Sequence, residues 1–218
     1  MCGIAGFSGN FEPELLPKMI EAVAHRGPDD QGHFFQPQMN CGIAQARLSI
    51  IDLSDRAHQP MSNDEQSLHI VFNGEIYNFP ELRKQLIDAG YNFRSDSDTE
   101  VLLHLYAEKG IEMLADINGV FAFAIIDRKN EQVFLARDHL GVKPLYIGNT
   151  AAGIIFCSEI KGLLACHELQ RDIDTAAVNQ HLAFIWCPGP RTMLKSVKKL
   201  GPGEACLIKN GKITRQWQ

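Results

Sequence analysis

The stretch Gly119-Val-Phe-Ala-Phe-Ala-Ile-Ile-Asp127 carries the clearest fold signal in the sequence. Its large and small side chains alternate, with Phe121 and Phe123 separated by Ala122 and followed by Ala124. Because successive side chains of a strand point to opposite faces, this stretch is expected to be a strand with one bulky face and one flat face. A face of small side chains allows a second sheet to pack closely against it, so the pattern predicts two stacked sheets.

Short apolar runs with a period of two predict further strands on both sides of this stretch. Asn210-Gly211 lies between two such runs and is typical of a two-residue hairpin turn. Strands mixed with a few helices, without a regular strand-helix-strand repeat, indicate an α+β fold. The predicted strands are residues 3–7, 41–46, 68–73, 119–127, 131–136, 153–158 and 203–209.

Helical spacing of apolar residues predicts three helices. The first covers residues 80–90, with a proline at its start and a glycine at its end. The second covers residues 98–109, and either Asp98 or Thr99 can cap its first turn. The third covers residues 175–185 and ends before a Pro-Gly-Pro break.

The composition is that of an ordinary globular chain. Its 218 residues are 22% charged and 45% hydrophobic, against roughly 25% and 45–50% in typical proteins. A net charge of −5 without a basic run lacks the footprint that nucleic acid or an acidic membrane surface requires. No stretch approaches the roughly 18 consecutive apolar residues of a membrane span, and no secretory signal is visible. We expect a cytoplasmic protein with neither a nucleic-acid nor a membrane partner.

Six cysteines and eight histidines are scattered along the chain without paired-cysteine or H-E-x-x-H spacing. That distribution predicts free thiols and no metal site. Cys41, Cys157, Cys187 and Cys206 fall in apolar patterns and are expected in the core.

Cys2 stands apart because it directly follows the first methionine. Removal of an initiator methionine before a small residue leaves a thiol beside a free α-amine. An α-amine titrates near ~7.8 and lysine near ~10.4, so a useful fraction of the amine is a neutral base at neutral pH. The alternative interpretation is a buried, inert cysteine. The position favours an N-terminal nucleophile with its own base.

Acyl transfer also needs fixed hydrogen-bond donors where negative charge develops. Asn73-Gly74, after an apolar strand, is a candidate for this oxyanion hole, with an ordinary type I′ hairpin turn as the alternative. Arg47 presents a planar fork that matches a carboxylate, although a structural salt bridge is the alternative. Glu75 and Asp98 can together hold an ammonium group, although Asp98 has the competing role of helix cap. These charges predict a receptor for a zwitterion.

Taken in order along the chain, several motifs resemble those of class II glutamine amidotransferases, in particular the N-terminal glutaminase domain of glutamine-hydrolysing asparagine synthetases. The resemblance covers essentially the whole chain. The motifs are Met1-Cys2-Gly3-Ile4-Ala5-Gly6, His25-Arg26-Gly27-Pro28-Asp29, Arg47-Leu48-Ser49-Ile50, Phe72-Asn73-Gly74-Glu75-Ile76-Tyr77-Asn78, Ser97-Asp98-Thr99-Glu100, Phe121-Ala122-Phe123-Ala124, Arg137-Asp138-His139-Leu140-Gly141-Val142-Lys143-Pro144-Leu145-Tyr146 and Ser158-Glu159-Ile160-Lys161.

The resemblance implies a four-layer αββα sandwich of the N-terminal nucleophile hydrolase type. It implies that Cys2 attacks the side-chain amide of L-glutamine, and that the Asn73 side chain and the Gly74 N–H stabilise the oxyanion. The products are glutamate and ammonia. Arg26 and Gly27 are expected on a loop near the nucleophile.

The same resemblance assigns the substrate contacts. Arg47 clamps the carboxylate of glutamine, Glu75 and Asp98 receive its α-ammonium, and the backbone of Ile50 lines the pocket. No metal ion takes part in this site.

Residues 2–218 are expected to form the glutaminase domain, and about 174–218 resemble the lead-in to an ATP-dependent synthetase domain that this sequence does not contain. Neither a Ser-Gly-Gly-x-Asp-Ser pyrophosphate loop nor a G-x-x-x-x-G-K-[ST] motif is present. We therefore expect no cofactor in this domain, and ATP and Mg only in the absent one. The expected partners are L-glutamine and a C-terminal synthetase domain, with a homodimer possible.

The resemblance implies that the ammonia serves the synthesis of asparagine from aspartate. Three alternatives stay open. The chain can be a catalytically silent regulatory or assembly module, the glutaminase half of a pathway-specific amidotransferase with another acceptor, or an amidohydrolase acting on another amide. The combination of Arg47, Glu75 and Asp98 favours an α-amino acid substrate, because a substrate without both charges leaves these groups unpaired.

Overall fold

The computed structural model describes residues 1–49, 52 and 54–218. Its helices are α1 (Leu15–Glu21), α2 (Phe79–Asp88), α3 (Asp98–Lys109), α4 (Ile160–Leu163) and α5 (Thr175–Phe184). Its strands are β1 (Gly3–Gly9), β2 (Asp30–Gln36), β3 (Cys41–Arg47), β4 (Met61–Ser62), β5 (Leu68–Ile76), β6 (Gly119–Asp127), β7 (Gln132–Arg137), β8 (Tyr146–Asn149), β9 (Gly153–Cys157), β10 (Val197–Lys199), β11 (Ala205–Lys209) and β12 (Lys212–Trp217).

Within the described residues, the strands form two six-stranded antiparallel sheets. The first sheet has the order β10-β8-β9-β1-β3-β2, and the second has the order β12-β11-β7-β6-β5-β4. In the first sheet, Gly3 lies opposite Ala46, so the start of β1 lies beside the end of β3. In the second, β5 pairs with β6 along its whole length, from Leu68 opposite Asp127 to Ile76 opposite Gly119.

The two faces of β6 pack as the alternation predicts. Phe121 and Phe123 lie in the cluster that includes the buried side chains of α2 and α3. Ala122 and Ala124 lie in the cluster between the two sheets, together with Ile4 of β1. Burying one phenylalanine side chain contributes about 1.5–3 kcal/mol, so the bulky face is a major source of stability. The prediction of stacked sheets is confirmed.

A third cluster joins the outer face of the first sheet to α1 and α4. Leu16 and Met19 of α1 and Leu163 of α4 pack there against Phe7 of β1. The layers therefore run helices, first sheet, second sheet, helices. The predicted α+β fold with four αββα layers is confirmed. None of the helices in the described part of the chain is long and apolar enough to cross a lipid bilayer.

Two local expectations are wrong. Asn73 and Gly74 form no turn, because β5 continues without interruption to Ile76. Neither Asp98 nor Thr99 caps α3, because the preceding Ser97 does so by accepting a hydrogen bond from the Thr99 N–H at 3.1 Å. Both corrections leave the side chains of Asn73 and Asp98 available for other contacts.

The hairpin turn at Asn210-Gly211 is confirmed, with φ angles of 48° and 73° that suit a type I′ turn. The seven predicted strands and three predicted helices are present, with shifts at their ends. The strands that the period-two pattern does not predict are short or lie at a sheet edge, and they are β2, β4, β8 and β10. β12 is the second of the two runs that flank Asn210-Gly211.

Cys41, Cys157 and Cys206 are fully buried, as expected. Cys187 is only half-buried, so its expected place in the core is wrong. It follows α5, a helix in which only Ala177 is buried and which adds little to the layered core.

Candidate active site

One cleft, with a volume of about 110 Å³, lies at the end of the sandwich where β1 begins and β3 ends. Six of the seven predicted site residues line it. These are Cys2, Arg47, Asn73, Gly74, Glu75 and Asp98. The seventh, Ile50, lies outside the described residues.

Strand alternation explains why these side chains meet. Cys2 precedes Ile4 by two positions, Arg47 follows Ile43 by four, and Asn73 follows Val71 by two. Ile4, Ile43 and Val71 all pack between the sheets, and residues an even number apart share one face of a strand. The inward face of each strand therefore continues from the apolar core into the cleft.

A buried hydrogen bond between the sheets fixes the distance across the cleft. Gln45 of β3 donates its Nε2 hydrogen to the carbonyl oxygen of Phe72 in β5 at 2.6 Å. Each of these residues is within two positions of a site residue, Arg47 on one strand and Asn73 or Gly74 on the other. The bond therefore links the segment of β3 that carries Arg47 to the segment of β5 that carries Asn73.

The Cys2 thiol lies against the main chain of Leu48. Its Sγ is 3.4 Å from the Leu48 nitrogen, which donates to it, and 3.6 Å from the Leu48 carbonyl oxygen. The carbonyl oxygen of Cys2 accepts a hydrogen bond from Arg26 Nε at 3.0 Å, so the predicted location of Arg26 near the nucleophile agrees with the structure. His25, His33 and His58 do not hydrogen-bond the Cys2 sulfur in the described structure.

The other buried thiols are poor nucleophiles. Burial raises the pKa of Cys41, Cys157 and Cys206 to about 12 and, together with the Glu168 carboxylate, raises the pKa of Cys166 to about 11. Since the thiolate is the reactive form, these sulfurs stay protonated and inert at neutral pH. Cys2 is the thiol that opens on the cleft.

Asn73 brings an unsatisfied donor to the cleft. The residue is 1% exposed, and its buried Nδ2 has no hydrogen-bond partner among the described residues. Leaving a buried donor unsatisfied costs about 1–3 kcal/mol. A ligand oxygen in the cleft removes that cost by accepting the hydrogen bond.

The backbone N–H of Gly74 is a second candidate donor at the cleft. The N–H groups of Phe72 and Ile76 turn away from β6, toward Gln59 Oε1 at 2.7 Å and Asp98 Oδ2 at 3.1 Å. Because N–H directions alternate along a strand, the Gly74 N–H between them points to that same edge. A Cβ at position 74 would lie 2.3 Å from the Val120 carbonyl oxygen, so only glycine fits this close approach of β6.

The cleft also carries two carboxylates, Glu75 on β5 and Asp98 at the start of α3. Asp98 is 4% exposed, and burial, with the negative charge of Glu75 as a smaller contribution, raises its pKa to about 6. Glu75 is exposed at the cleft. An ammonium group between these carboxylates offsets both the burial and the mutual repulsion of the pair.

Arg47 supplies the positive charge of the cleft. It is 7% exposed, and its Nη2 donates to the carbonyl oxygen of Asp52, which limits the rotation of the guanidinium group. With Glu75 and Asp98, the cleft presents two negative groups and one positive group. A molecule with one carboxylate and one ammonium complements this arrangement.

Two further residues of the cleft are absent from the predictions. Gln59 accepts from the Phe72 N–H and donates to Thr99 Oγ1 at 3.0 Å, and so ties β5 to α3. No sequence signal points to it, because its partners come from distant segments. Lys143 lines the cleft on a loop whose N–H groups bind the buried Asp138 carboxylate. It lies within a quoted motif, which is the signal that could have found it.

A model of the glutamine amidotransferase domain family matches residues 1–218. The chain therefore belongs to this family.

Among the residues that the structure describes, no group of three or more histidine, cysteine, aspartate or glutamate side chains could hold a metal ion.

Relatives with curated names point to particular members of the family. The glutamine-hydrolyzing asparagine synthetase 1 of Bacillus subtilis (strain 168) is 38% identical over 98% of this chain and 34% of its own length. The putative glutamine-hydrolyzing asparagine synthetase 2 of Methanocaldococcus jannaschii is 38% identical over 92% of this chain and 42% of its own length. Amidase chry2 of Gibberella zeae is 34% identical over 76% of this chain and 26% of its own length. The chain spans less than half the length of these relatives.

Among solved structures, the glutamine phosphoribosylpyrophosphate amidotransferase from B. subtilis has a TM-score of 0.73 at 19% identity, over 100% of this chain and 49% of that chain. This likeness shows the fold alone. The resemblance to class II glutamine amidotransferases and the N-terminal nucleophile hydrolase fold are both confirmed. The individual roles of the site residues stay predictions.

Proposed function

We propose that this chain hydrolyses L-glutamine to glutamate and ammonia, with Cys2 as the nucleophile. The observation that carries the proposal is the buried Nδ2 of Asn73, which has no hydrogen-bond partner in the part of the chain that the structure describes and lines the same cleft as the Cys2 thiol. A buried hydrogen-bond donor that shares a cleft with a thiol suits an oxygen that gains negative charge during the reaction.

The reaction starts from a chain that begins at Cys2. The neutral α-amine accepts the thiol proton, and Sγ attacks the side-chain amide carbon of glutamine. The Asn73 side chain and the Gly74 N–H stabilise the resulting oxyanion, each by about 3 kcal/mol. When the tetrahedral intermediate collapses, the C–N bond breaks and the leaving nitrogen takes the proton from the α-ammonium, so ammonia departs. Water then attacks the γ-glutamyl thioester and releases glutamate and the free thiol.

The remaining site residues recognise the amino-acid end of glutamine. Arg47 binds the α-carboxylate through its planar fork. Glu75 and Asp98 bind the α-ammonium, and the backbone of Ile50 completes the pocket. Met1 lines the cleft, so its removal both frees the α-amine and enlarges the space for substrate.

In the whole protein, we propose that the ammonia serves an ATP-dependent synthetase domain that makes asparagine from aspartate, with ATP and Mg bound in that domain only. The two asparagine synthetases at 38% identity support this acceptor. Another relative is named amidase chry2 rather than asparagine synthetase. An ammonia acceptor other than aspartate is therefore the second candidate. A homodimer and a cytoplasmic location remain part of the proposal.

The test is Cys2→Ala in material whose N-terminus is verified by intact mass. We expect glutamine hydrolysis to fall below about 1% of the wild-type rate, because an alanine cannot form the thioester. Calorimetry should show that glutamine still binds. The matched control is Cys187→Ala, whose half-buried thiol does not line the cleft and whose loss should leave hydrolysis unchanged.

Two results would contradict the proposal. Hydrolysis by Cys2→Ala above a few per cent of the wild-type rate would exclude the nucleophile. A processed wild-type chain that binds glutamine without hydrolysing it would favour the silent regulatory module.

A further inference from the structure

The pair Ser158-Glu159 contacts the start of β1, the strand that follows the nucleophile. The Ser158 N–H donates to the Ile4 carbonyl oxygen at 2.9 Å, and Ser158 Oγ accepts from the Ile4 N–H at 3.0 Å. The register between β1 and β9 ends at Ala5 opposite Cys157. Ser158 therefore extends the pairing by one residue toward Cys2.

Cys2 is held through its carbonyl oxygen as well as through its thiol, which contacts the main chain of Leu48. The ladder between β1 and β3 begins at Gly3, so Cys2 lies one residue outside the paired register. Arg26 Nε donates to the Cys2 carbonyl oxygen at 3.0 Å. The orientation of the Arg26 side chain thus decides where the main chain of the nucleophile lies.

Glu159 fixes that orientation. Its Oε1 accepts from Arg26 Nη1 at 2.9 Å, and the Arg26 side chain is only 9% exposed. The third nitrogen, Nη2, is buried without a partner in the part of the chain that the structure describes. Because Arg26 has two anchors, Cys2 on one side and Glu159 on the other, loss of Glu159 leaves a buried guanidinium free to turn.

The carboxylate of Glu159 is charged at neutral pH. Partial burial alone would raise its pKa, but hydrogen bonds from Arg26 and His25 outweigh burial and hold the pKa below its usual value. His25 Nε2 lies 3.1 Å from Oε1, and Lys161 Nζ lies 3.5 Å from Oε2. Both of these neighbours are about half exposed, whereas Arg26 is the buried partner.

We propose that Glu159 is a positioning residue for the Cys2 nucleophile and acts through Arg26. This inference rests on the proposed glutamine hydrolysis. Misplacing a nucleophile by about 1 Å can cost on the order of 100-fold in rate. Arg47, Glu75 and Asp98, the proposed substrate contacts, do not touch Glu159. The effect of losing Glu159 therefore falls on kcat and leaves KM nearly unchanged.

The test compares Glu159→Ala, Glu159→Gln and a matched control, Glu65→Ala. Glu65 forms an ion pair with Lys129 at 2.5 Å, more exposed than the Glu159 pair and away from the cleft. We expect kcat of Glu159→Ala to fall at least about tenfold with KM within about twofold of the wild-type value. Glu159→Gln should recover most of the loss, because its amide oxygen can still accept from Arg26. Glu65→Ala should leave both constants unchanged.

A second readout does not depend on activity. Hydrogen exchange of the peptide that contains Gly3 and Ile4 should be several-fold faster in Glu159→Ala than in the wild type, and near wild type in the other two variants. Should Glu159→Ala fail to fold, Glu159→Asp replaces it with the same expected kcat loss and faster exchange, because its shorter side chain withdraws the carboxylate from Arg26, and a wild-type kcat or wild-type exchange in that variant would overturn the inference.

The outcomes separate the two proposals. Wild-type hydrolysis together with an unchanged kcat in Glu159→Ala overturns the positioning role alone. Absence of hydrolysis in the wild type overturns the proposed function, and the exchange measurement then decides the positioning role by itself. Unchanged exchange in Glu159→Ala overturns that role.

Discussion

Asn73 and Arg47 face the same cleft but act at different moments of the proposed reaction. Among the described residues the Asn73 Nδ2 has no hydrogen-bond partner, so in the proposed reaction it donates to the oxygen that gains negative charge, whereas the Arg47 guanidinium is proposed to bind the carboxylate already in the ground state. An interaction made only in the transition state changes kcat, and one made equally in the ground state changes KM. The two side chains are therefore distinguishable by steady-state kinetics.

Asn73→Ala should lower kcat about 100-fold with a smaller change in KM. Arg47→Ala should mainly raise KM for glutamine. Asn92→Ala and Arg171→Ala, which change exposed residues of the same types away from the cleft, are the controls. An exchange of the two signatures would mean that the roles of Asn73 and Arg47 are misassigned.

Asp98 links substrate binding to pH. Burial raises the pKa of Asp98 to about 6. Binding an ammonium group needs the ionised carboxylate, and this form is lost as pH falls through 6. The value of kcat/KM for glutamine should therefore decrease below about pH 6, because this ratio reports the free enzyme. Because the N-terminal amine titrates above this range, the logarithm of kcat/KM should steepen from a slope of one to a slope of two below about pH 6, and a slope that stays at one down to pH 5 would exclude Asp98 as the group that binds the ammonium.

The raised pKa of Asp98 also makes the stability of the fold depend on pH. A carboxyl group with a raised pKa binds its proton more tightly in the folded chain, so its contribution to stability is full at low pH and is lost as pH rises through about 6. The shift corresponds to about 3 kcal/mol above that pH. Asp98→Asn should raise the free energy of unfolding by up to this amount at pH 8 while weakening glutamine binding, and the gain should shrink below pH 6.

Helices α3 and α5 are both capped at the N-terminus by a polar side chain, but they lie in different surroundings. Ser97 caps α3, whose buried side chains include Val101, Leu102 and Leu105. Asp174 caps α5 by accepting from two backbone N–H groups at 3.0 and 3.2 Å. The two helices differ in how much of their surface the layered core covers.

Ser97→Ala should lower the global free energy of unfolding by about 1 kcal/mol, because α3 cannot loosen without disturbing the core. Asp174→Ala should change the global transition much less, since α5 can fray locally. Denaturant unfolding of both variants measures the difference. Equal losses in the two variants would show that α5 unfolds together with the core.

The start of the chain lies at the end of the sandwich, in the cleft that residues of both sheets line. Cys2 leads into β1 of the first sheet, and Asn73 and Gly74 face it from the second. Any residue before Cys2 therefore occupies the cleft or its mouth, as Met1 does. The architecture makes the N-terminus part of the site.

Blocking this N-terminus should abolish hydrolysis even though Cys2 is untouched. A chain that keeps Met1, or that carries an N-terminal tag, holds the Cys2 nitrogen in an amide that cannot accept a proton. In processed material, kcat/KM should rise with pH through an apparent pKa of about 7–8, which reports the coupled amine and thiol. A chain shown by mass spectrometry to retain Met1, yet as active as the processed one, would rule out the terminal amine as base and leave an internal base such as His25, His33 or His58.

The local sequence determined the layered core and the main elements of this protein. Alternation of phenylalanine and alanine in β6 predicted two packed sheets, and the spacing of apolar residues predicted α3 and the hairpin turn at Asn210-Gly211. These features depend on side chains within a few positions of one another, which is why the period of the pattern reports them. The ordered motifs likewise indicated Cys2, Arg47 and Asn73 as site residues.

The geometry of the cleft depends on contacts between segments that are distant in the sequence. The pattern around Asn73-Gly74 suits a turn as well as a strand, and pairing with β6 selected the strand that turns the Gly74 N–H to the open edge. Gln59 and Glu159 act through partners 13 to 133 positions away. Contacts of such separation leave no trace in local periodicity, because they exist only after distant segments of the chain have folded together.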